Sequence, residues 1–186
     1  MPNFAASRPT SVRRIAITGP ESTGKSALCE QLARHFDTVF VPEYARYYIA
    51  RLQRPYQAYD LATIAYRQMA LEDRYAQRYA RNGYLLCDTD MTVIKIWHEH
   101  AFGTMPDCLV QLFEARRNNY AAYLLNYIDL PWQPDPQREH PHLRPFFFDW
   151  YYQLLQQNNV PFAVVSGTGE ARIANALQSL ANIGLI

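Results

Sequence analysis

The sequence predicts a three-layer α/β/α protein in which helices pack on both faces of a five-stranded parallel sheet. Short apolar runs alternate with longer stretches of helical periodicity, an arrangement typical of parallel strands joined by crossover helices. Hydrophobic residues make up 49% of the chain and charged residues 19%, which is a globular composition. The 186 residues match the length of one domain, since domains usually contain about 100–200 residues.

In the first half of the chain, residues that favour or forbid regular structure separate the elements. Pro42 ends a short apolar run, because proline cannot donate a hydrogen bond to a sheet. Asp60 is a favoured N-cap at the start of a long amphipathic stretch, and Asn82-Gly83 is a favoured helix stop. We therefore expect strands at 12–18, 38–41 and 84–87, and helices at 24–36, 44–53 and 60–81.

A proline-rich segment at 129–145 interrupts the second half of the chain. It contains five prolines together with Arg138 and Arg144, and no helix or strand tolerates that proline density. We interpret it as a lid, a loop that closes over a ligand, and a rigid surface linker is the alternative. Around it we expect helices at 92–100, 107–117, 146–158 and 170–181, and strands at 121–127 and 161–166.

Charge and hydropathy exclude several classes of protein. The chain has 18 basic and 17 acidic side chains, a balance that argues against binding nucleic acid or an anionic membrane through bulk charge. No apolar run is long enough for a transmembrane helix. Residues 1–11 lack the apolar core of a signal peptide, and we expect a flexible leader there, before a single domain at 12–186. Nothing in the pattern specifies an oligomeric state.

The cysteines favour a reducing compartment. Cys29, Cys87 and Cys108 are widely spaced and form no CxxC pair, so neither a disulfide framework nor a zinc site is predicted. We expect three small buried residues in a cytoplasmic protein.

The motif with the clearest chemistry lies between the first strand and the first helix. Residues 19–26 read GPESTGKS and match the phosphate-loop pattern GxxxxGK[ST] in full. In such a loop, backbone N–H groups and the helix dipole face bound phosphate. Lys25 would reach the β- and γ-phosphates, and the Ser26 hydroxyl would join a Mg²⁺ shell. A chance turn is the alternative. We expect ATP with Mg²⁺, bound by Gly19, Glu21, Ser22, Thr23, Gly24, Lys25, Ser26 and Ala27.

Length and absent motifs narrow the class of nucleotide-binding protein. The chain has no NKxD-like run, which weakens the hypothesis of a GTPase. A motor or an AAA-type machine usually needs a longer chain, whereas one domain of this size fits a small-molecule kinase. A regulatory module that binds ATP without catalysis is the alternative from a different class.

Acidic residues follow the second and third expected strands. Glu43 comes after the second strand, and Asp88 and Asp90 come after the third, so all three belong to the edge where parallel sheets bind ligands. A kinase needs one acid near Mg²⁺ and one that accepts the proton of the attacking hydroxyl. We assign the metal to Asp88 and the base role to Glu43, although the opposite order fits the same pattern. Helix capping is the alternative for each carboxylate.

Taken together, these motifs resemble the ribosylnicotinamide kinase domain of NadR-type proteins. The segments that carry the resemblance are, in order, GPESTGKS, EYAR, CDTD, KIW and PWQPDPQREHPHLR. The resemblance extends over nearly the whole chain. Many families share the phosphate loop, whereas the DTD and PW-x-x-D-x-x-R segments are more specific.

The resemblance implies transfer of the ATP γ-phosphate to the 5′-hydroxyl of nicotinamide riboside, which gives nicotinamide mononucleotide. It implies a P-loop kinase fold close to the deoxynucleoside and thymidylate kinases. Asp88 and Asp90 would serve the metal and the ribose hydroxyls, and the turn at 166–169 would line the adenine pocket. The substrate-binding residues would be Glu43, Tyr44, Arg46, Asp88, Asp90, Trp97 and Arg138. The catalytic residues would be Lys25, Glu43, Asp88 and Arg138.

Arg138 is the expected lid arginine, with Arg144 as a second candidate. Such a group neutralises the charge that develops on the transferred phosphoryl group. The alternative for Arg138 is a solvated loop charge, because loops are exposed by default.

Two positions depart from the family pattern. Pro42 stands where some members have an aromatic residue, and Ala45 stands where glycine is common. Pro42 removes one stacking partner for the nicotinamide ring, a flat cation that favours an aromatic face. The candidates to replace it are Tyr44, Tyr47, Trp97 and Trp132. Another nucleoside or nucleotide kinase is therefore the alternative enzyme.

Overall fold

A computed structural model describes residues 12–186 and contains the predicted five-stranded parallel sheet. The leader expected at 1–11 lies outside the described residues. The strands are β1 (Arg13–Thr18), β2 (Phe40–Val41), β3 (Tyr84–Asp88), β4 (Tyr120–Asn126) and β5 (Phe162–Val165). Their order in the sheet is β2-β3-β1-β4-β5, so β1 is central and pairs with β3 and β4.

Helices cover both faces of the sheet and divide the hydrophobic core in two. Ile15 and Ile17 of β1 pack on one face, and Ala16 between them packs on the other, because successive strand residues point to opposite faces. No helix among residues 12–186 has the length and apolar character needed to cross a bilayer. The helices are α1 (Lys25–His35), α2 (Tyr44–Ile49), α3 (Ala58–Arg78), α4 (Met91–Phe102), α5 (Asp107–Arg117), α6 (Arg144–Gln157) and α7 (Gly169–Asn182).

The register of the central strands brings the candidate residues to one edge. Ile17 of β1 pairs with Asp88 of β3, and Val41 of β2 pairs with Cys87. The phosphate loop, Asp88 and the start of α2 therefore follow neighbouring strands at their carboxyl ends, as the doubly wound topology requires.

Several expected boundaries are wrong for identifiable physical reasons. Gln57, and not Asp60, is the N-cap of α3; Asp60 is its partner in a capping box and accepts the Gln57 N–H at 2.7 Å. Asn82-Gly83 forms the turn into β3, four residues beyond the last residue of α3. Helix α6 begins at Arg144, inside the expected lid, because the prolines that end the loop include one that fits the first turn of a helix.

The cysteines differ from the expectation at one position. Cys29 and Cys87 are buried, whereas Cys108, in the first turn of α5, is exposed. All three thiols are free.

Glu72 is a buried carboxyl on α3 away from the ligand edge. Its Oε2 accepts the Tyr120 hydroxyl at 2.8 Å and lies 3.7 Å from the Arg14 guanidinium. Burial raises the pKa of Glu72 from 4.5 to about 7 despite these partners. The folded protein therefore binds the Glu72 proton more tightly than the unfolded chain does. This contribution to stability is complete below pH 4.5 and is lost as the pH rises through about 7.

We predict that Glu72→Gln removes this pH dependence, because the amide oxygen still accepts the Tyr120 hydroxyl but does not ionise. As the pH rises from 4.5 to above 7, wild type should lose up to about 3 kcal/mol of unfolding free energy relative to the variant. Urea denaturation of both proteins across this range measures the difference. Parallel curves would contradict the prediction.

Candidate active site

The phosphate loop connects β1 to α1 and needs glycine at two positions. Gly19 and Gly24 have φ values of 128° and 74°, and Ser22 between them has 55°, a region that side chains other than glycine rarely adopt. A Cβ on Gly19 would lie 3.0 Å from the Asn126 carbonyl oxygen of β4. The loop therefore lies directly against the end of a central strand.

Lys25 is the partly buried cation of this loop. Its Nζ donates to the carbonyl oxygens of Gly19 and Pro20, each at 2.8 Å. Burial lowers the pKa of Lys25, and the negative charges of Glu43, Asp88 and Glu21 oppose that shift. The loop thus presents a positive group within a ring of carboxylates from three segments of the chain.

Glu43 and Asp88 occupy different positions around Lys25. Glu43 precedes α2 and lines the cavity described below, and its Oε2 lies 3.3 Å from Arg46 Nε. Asp88 ends β3, is 3% exposed and does not line the cavity. Burial raises the pKa of both carboxyls, while the Ser26 hydroxyl opposes this shift at Asp88 by a hydrogen bond.

The residues present fit a Mg²⁺ ion at Asp88 and Ser26. Asp88 Oδ1 is a buried atom that has no hydrogen-bond partner within residues 12–186, and Ser26 supplies a hydroxyl beside it. Carboxylate and hydroxyl oxygens suit Mg²⁺, which takes its other ligands from phosphate and water. Among residues 12–186, no group of three or more His, Cys, Asp and Glu side chains forms a cage of its own.

One cavity of about 480 Å³ opens beside the phosphate loop. Its walls come from that loop, from α2, α3, α4 and α6, and from the segment 127–143, which we call the closing loop. Of the predicted site residues, those that line it are Gly19, Glu21, Ser22, Thr23, Gly24, Lys25, Ser26, Ala27, Glu43, Arg46, Trp97 and Arg138. A single space therefore joins the phosphate-binding motif to the expected acceptor side.

Three predicted residues do not line the cavity: Tyr44, Asp88 and Asp90. Asp90 is 2% exposed and caps α4, where its carboxylate accepts the N–H of Thr92 at 2.9 Å and also its hydroxyl. Asp90 therefore caps a helix in this arrangement, and its expected contact with ribose stays a prediction. The ring of Tyr44 packs near those of Tyr47 and Tyr48.

Trp97 is the one of the four proposed stacking residues that lines the cavity. Its ring centroid lies 5.6 Å from that of His140 and 5.9 Å from that of Phe147, and those two are 5.5 Å apart. Rings on opposite faces of the indole would be separated by at least about 7 Å, twice the stacking distance. His140 and Phe147 therefore do not sandwich Trp97.

The cavity is also lined by two aromatic side chains that the sequence did not indicate as site residues. Tyr151 of α6 is 2% exposed and belongs to the core. Tyr56 lies between α2 and α3, and burial raises its pKa to about 12, with Glu139 adding to the shift. Tyr151 carried no signal because it reads as an ordinary core residue of an amphipathic helix, and Tyr56 carried none because it stands outside any motif.

The closing loop places its two arginines in different roles. Arg138 lines the cavity, and its Nη1 donates to the Gln133 carbonyl oxygen within the loop. Arg144 is 8% exposed and instead donates to the carbonyl oxygens of Ser22 at 3.3 Å and Leu130 at 2.9 Å. Arg144 therefore fastens the closing loop to the phosphate loop and does not face the cavity, unlike a second lid arginine.

The turn at 166–169 lies outside the cavity lining. The Gly167 N–H donates to Asp129 Oδ2 at 2.6 Å, and Arg172 donates to the carbonyl oxygens of Gly167 and Thr23, each at 2.7 Å. The buried guanidinium of Arg172 thus joins this turn to the phosphate loop. The expected adenine contact stays a prediction.

Sequence comparison identifies the family. The family model described as "AAA domain" matches residues 14–172. The trifunctional NAD biosynthesis/regulator protein NadR of Salmonella typhimurium and that of Escherichia coli K12 are each 28% identical over 166 residues, 85% of this chain. The chain spans 39% of the length of these curated relatives. The resemblance to NadR-type proteins is confirmed.

Solved structures show the fold. NadR protein in complex with NR has a TM-score of 0.75 at 19% identity, and the match covers 94% of this chain and 52% of the NadR chain. NadR in complex with NAD and AMP-PNP has a TM-score of 0.72 at 20% identity, and the match covers 94% of this chain and 50% of the NadR chain. Thymidylate kinase from Ehrlichia chaffeensis has a TM-score of 0.65 at 13% identity, and the match covers 94% of this chain and 100% of the kinase chain. The predicted P-loop kinase fold is confirmed.

We predict that Gly19→Ala weakens nucleotide binding, whereas Gly83→Ala does not. Both glycines have positive φ, but a Cβ at Gly83 would meet nothing within 4 Å, while one at Gly19 would press on the β4 backbone. Gly83→Ala should lose roughly 1–2 kcal/mol of stability, and Gly19→Ala should lose more because of its contact with the Asn126 backbone. Only Gly19→Ala should raise the Kd for Mg²⁺-AMP-PNP, about tenfold or more, because the Gly19 carbonyl holds Lys25. Calorimetric titration measures the Kd, and equal affinities would contradict the prediction.

Proposed function

The chain belongs to the AAA domain family, and we propose that it transfers the γ-phosphate of ATP to the 5′-hydroxyl of nicotinamide riboside, forming nicotinamide mononucleotide. One observation carries the proposal. A single cavity is lined at one end by the phosphate loop and Lys25 and elsewhere by Glu43, Trp97 and Arg138. These are a phosphate site, a carboxylate, an aromatic face and a cation on the closing loop, the groups that phosphoryl transfer to such a riboside needs.

The similarity to NadR supports the choice of substrate, since a solved NadR structure contains NR. Because the chain covers 39% of those relatives, the proposal concerns the kinase step alone. Another nucleoside or nucleotide kinase is the second candidate, favoured by the likeness to a thymidylate kinase along its full length. A binding module without catalysis needs neither Glu43 nor Arg138 at the cavity.

The phosphate loop would bind the triphosphate through its N–H groups and the Lys25 ammonium. The riboside would lie between α2 and α4, where Trp97 offers an aromatic face to the ring. Apolar side chains complete that part of the wall: Ile49, Leu61, Val93 and Ile94. Binding would bring the 5′-hydroxyl to the γ-phosphorus and expel water from between them.

Glu43 is the proposed base and Asp88 the proposed metal ligand. Glu43 lines the cavity, whereas Asp88 does not line it and instead contacts Ser26, which does. The 5′-oxygen would form a bond to the γ-phosphorus while the bond from that phosphorus to the β–γ bridging oxygen breaks. Glu43 would accept the hydroxyl proton, and ADP would leave with the electron pair of the broken bond. The raised pKa of Glu43 suits a proton acceptor better than an ordinary carboxylate does.

Mg²⁺ held by Asp88 and Ser26 would supply positive charge to the β- and γ-phosphate oxygens. Arg138 would supply further charge from the closing loop, at the phosphoryl group in transfer. Arg46 is bonded to both Glu43 and Asp135, and would keep the proposed base in place. We further propose that residues 12–186 act as one domain in the cytoplasm, where free thiols stay reduced.

We predict that turnover in a coupled ADP-release assay with Mg²⁺-ATP is restricted to nicotinamide riboside and nicotinic acid riboside. The panel also contains uridine, cytidine and thymidine, and product masses identify the phosphorylated compound. Turnover of a pyrimidine nucleoside instead would keep the kinase mechanism and reject the substrate. Binding of ATP without turnover of any compound would favour the regulatory module.

We predict that Arg138→Ala lowers kcat about a thousandfold while the KM for ATP changes little, because the guanidinium acts mainly on charge that develops in the transition state. Arg67→Ala is the matched control, since Arg67 is exposed on α3 and does not line the cavity. Steady-state kinetics of both variants provide the measurement. Equal kcat values for Arg138→Ala and wild type would remove the lid-arginine role.

A further inference from the structure

Glu21 links the phosphate loop to the closing loop through its side chain. Its carboxylate accepts the backbone N–H of Glu139 at 3.2 and 3.3 Å and the N–H of His140 at 3.2 Å. Glu21 also lines the cavity. The residue belongs to a motif whose backbone binds phosphate, but its side chain here engages the neighbouring loop.

These contacts form an anion site built from backbone groups. Two consecutive N–H donors converge on one carboxylate, and bonds to an ionised acceptor are stronger than those between neutral groups. The two N–H groups and the Lys25 charge each stabilise the carboxylate against the cost of its burial. The side chain therefore holds two adjacent residues of the closing loop at a defined distance from the phosphate loop.

The position of this contact matters because Arg138 directly precedes Glu139. Within the closing loop the Arg138 side chain donates a hydrogen bond to the Gln133 carbonyl oxygen, and its buried Nε has no partner in the described part of the chain. On the other side of the contact, the His140 ring packs near parallel to Trp97, 5.6 Å away. Glu21 thus holds the backbone between two side chains. One is the Arg138 guanidinium, which lines the cavity, and the other is the His140 ring, which packs near Trp97.

We propose that Glu21 is a positioning residue whose carboxylate, by binding the N–H groups of Glu139 and His140, fixes Arg138 at the phosphate end of the cavity. The part of this inference that concerns catalysis rests on the proposed function. The part that concerns the closing loop does not, since the contact exists without any substrate. Loss of the carboxylate should free the loop backbone and lower the fraction of molecules in which Arg138 faces the phosphates.

The first test is hydrogen exchange of the whole chain without nucleotide. Glu21→Ala should speed exchange of the Glu139 and His140 amides about ten- to a hundredfold. Glu21→Gln retains an acceptor oxygen and should recover most of the protection. Glu114→Ala is the matched control, since Glu114 pairs with Arg117 on α5 away from the cavity. Unchanged exchange in a folded Glu21→Ala protein, or equal loss of protection in Glu114→Ala, would overturn the proposal.

The second test is a double-mutant cycle of Glu21→Ala and Arg138→Ala. If Glu21 acts through Arg138, Glu21→Ala should lower kcat about ten- to a hundredfold in wild type and hardly at all when Arg138 is already alanine. Glu21→Gln should restore most of kcat. An equal loss in both backgrounds would overturn the positioning role. If wild type phosphorylates no riboside, the proposed function fails and the exchange experiment alone decides the role of Glu21.

Discussion

The partly buried ammonium of Lys25 is the group on which the site depends. It donates to two carbonyl oxygens of its own loop, and the carboxylates of Glu43, Asp88 and Glu21 balance its charge. A charge removed from water is tolerated only when hydrogen-bond partners and opposite charges surround it. Because these carboxylates come from the start of α2, the end of β3 and the phosphate loop, those segments must meet at one point, and the cavity forms there.

The closing loop takes its position from polar groups elsewhere, since it has no helix or strand of its own. Arg144 donates to carbonyl oxygens on the phosphate loop and on the closing loop, and Glu21 accepts N–H groups from the closing loop. Arg172 extends the same network, because it binds Thr23, Gly167 and Asp129 together. Such a loop can lie in one defined place while each of its hydrogen bonds can break separately, which suits a loop that lines a cavity.

The sequence predicted most elements because their signals are local. Apolar runs marked the strands, and the helix expected at 107–117 agrees with α5 (Asp107–Arg117). The phosphate loop was identifiable because the backbone geometry within the loop itself requires its glycines. Errors arose where two local rules compete. Asp60 suits an N-cap, yet it also suits the third helical position, and the hydrogen bond to Gln57 decided between them.

By itself the sequence determined the fold class, the phosphate loop and the acids at the strand ends, since each depends on residue type and short-range spacing. Only the tertiary structure decided which acid faces the cavity: Glu43 lines it, while Asp90 caps a helix. Only tertiary packing brought Tyr151 and Tyr56 to the cavity and placed the closing loop against Glu21. The physical reason is that side-chain direction and hydrogen-bond partners across distant segments follow from packing. A local sequence pattern does not specify that packing.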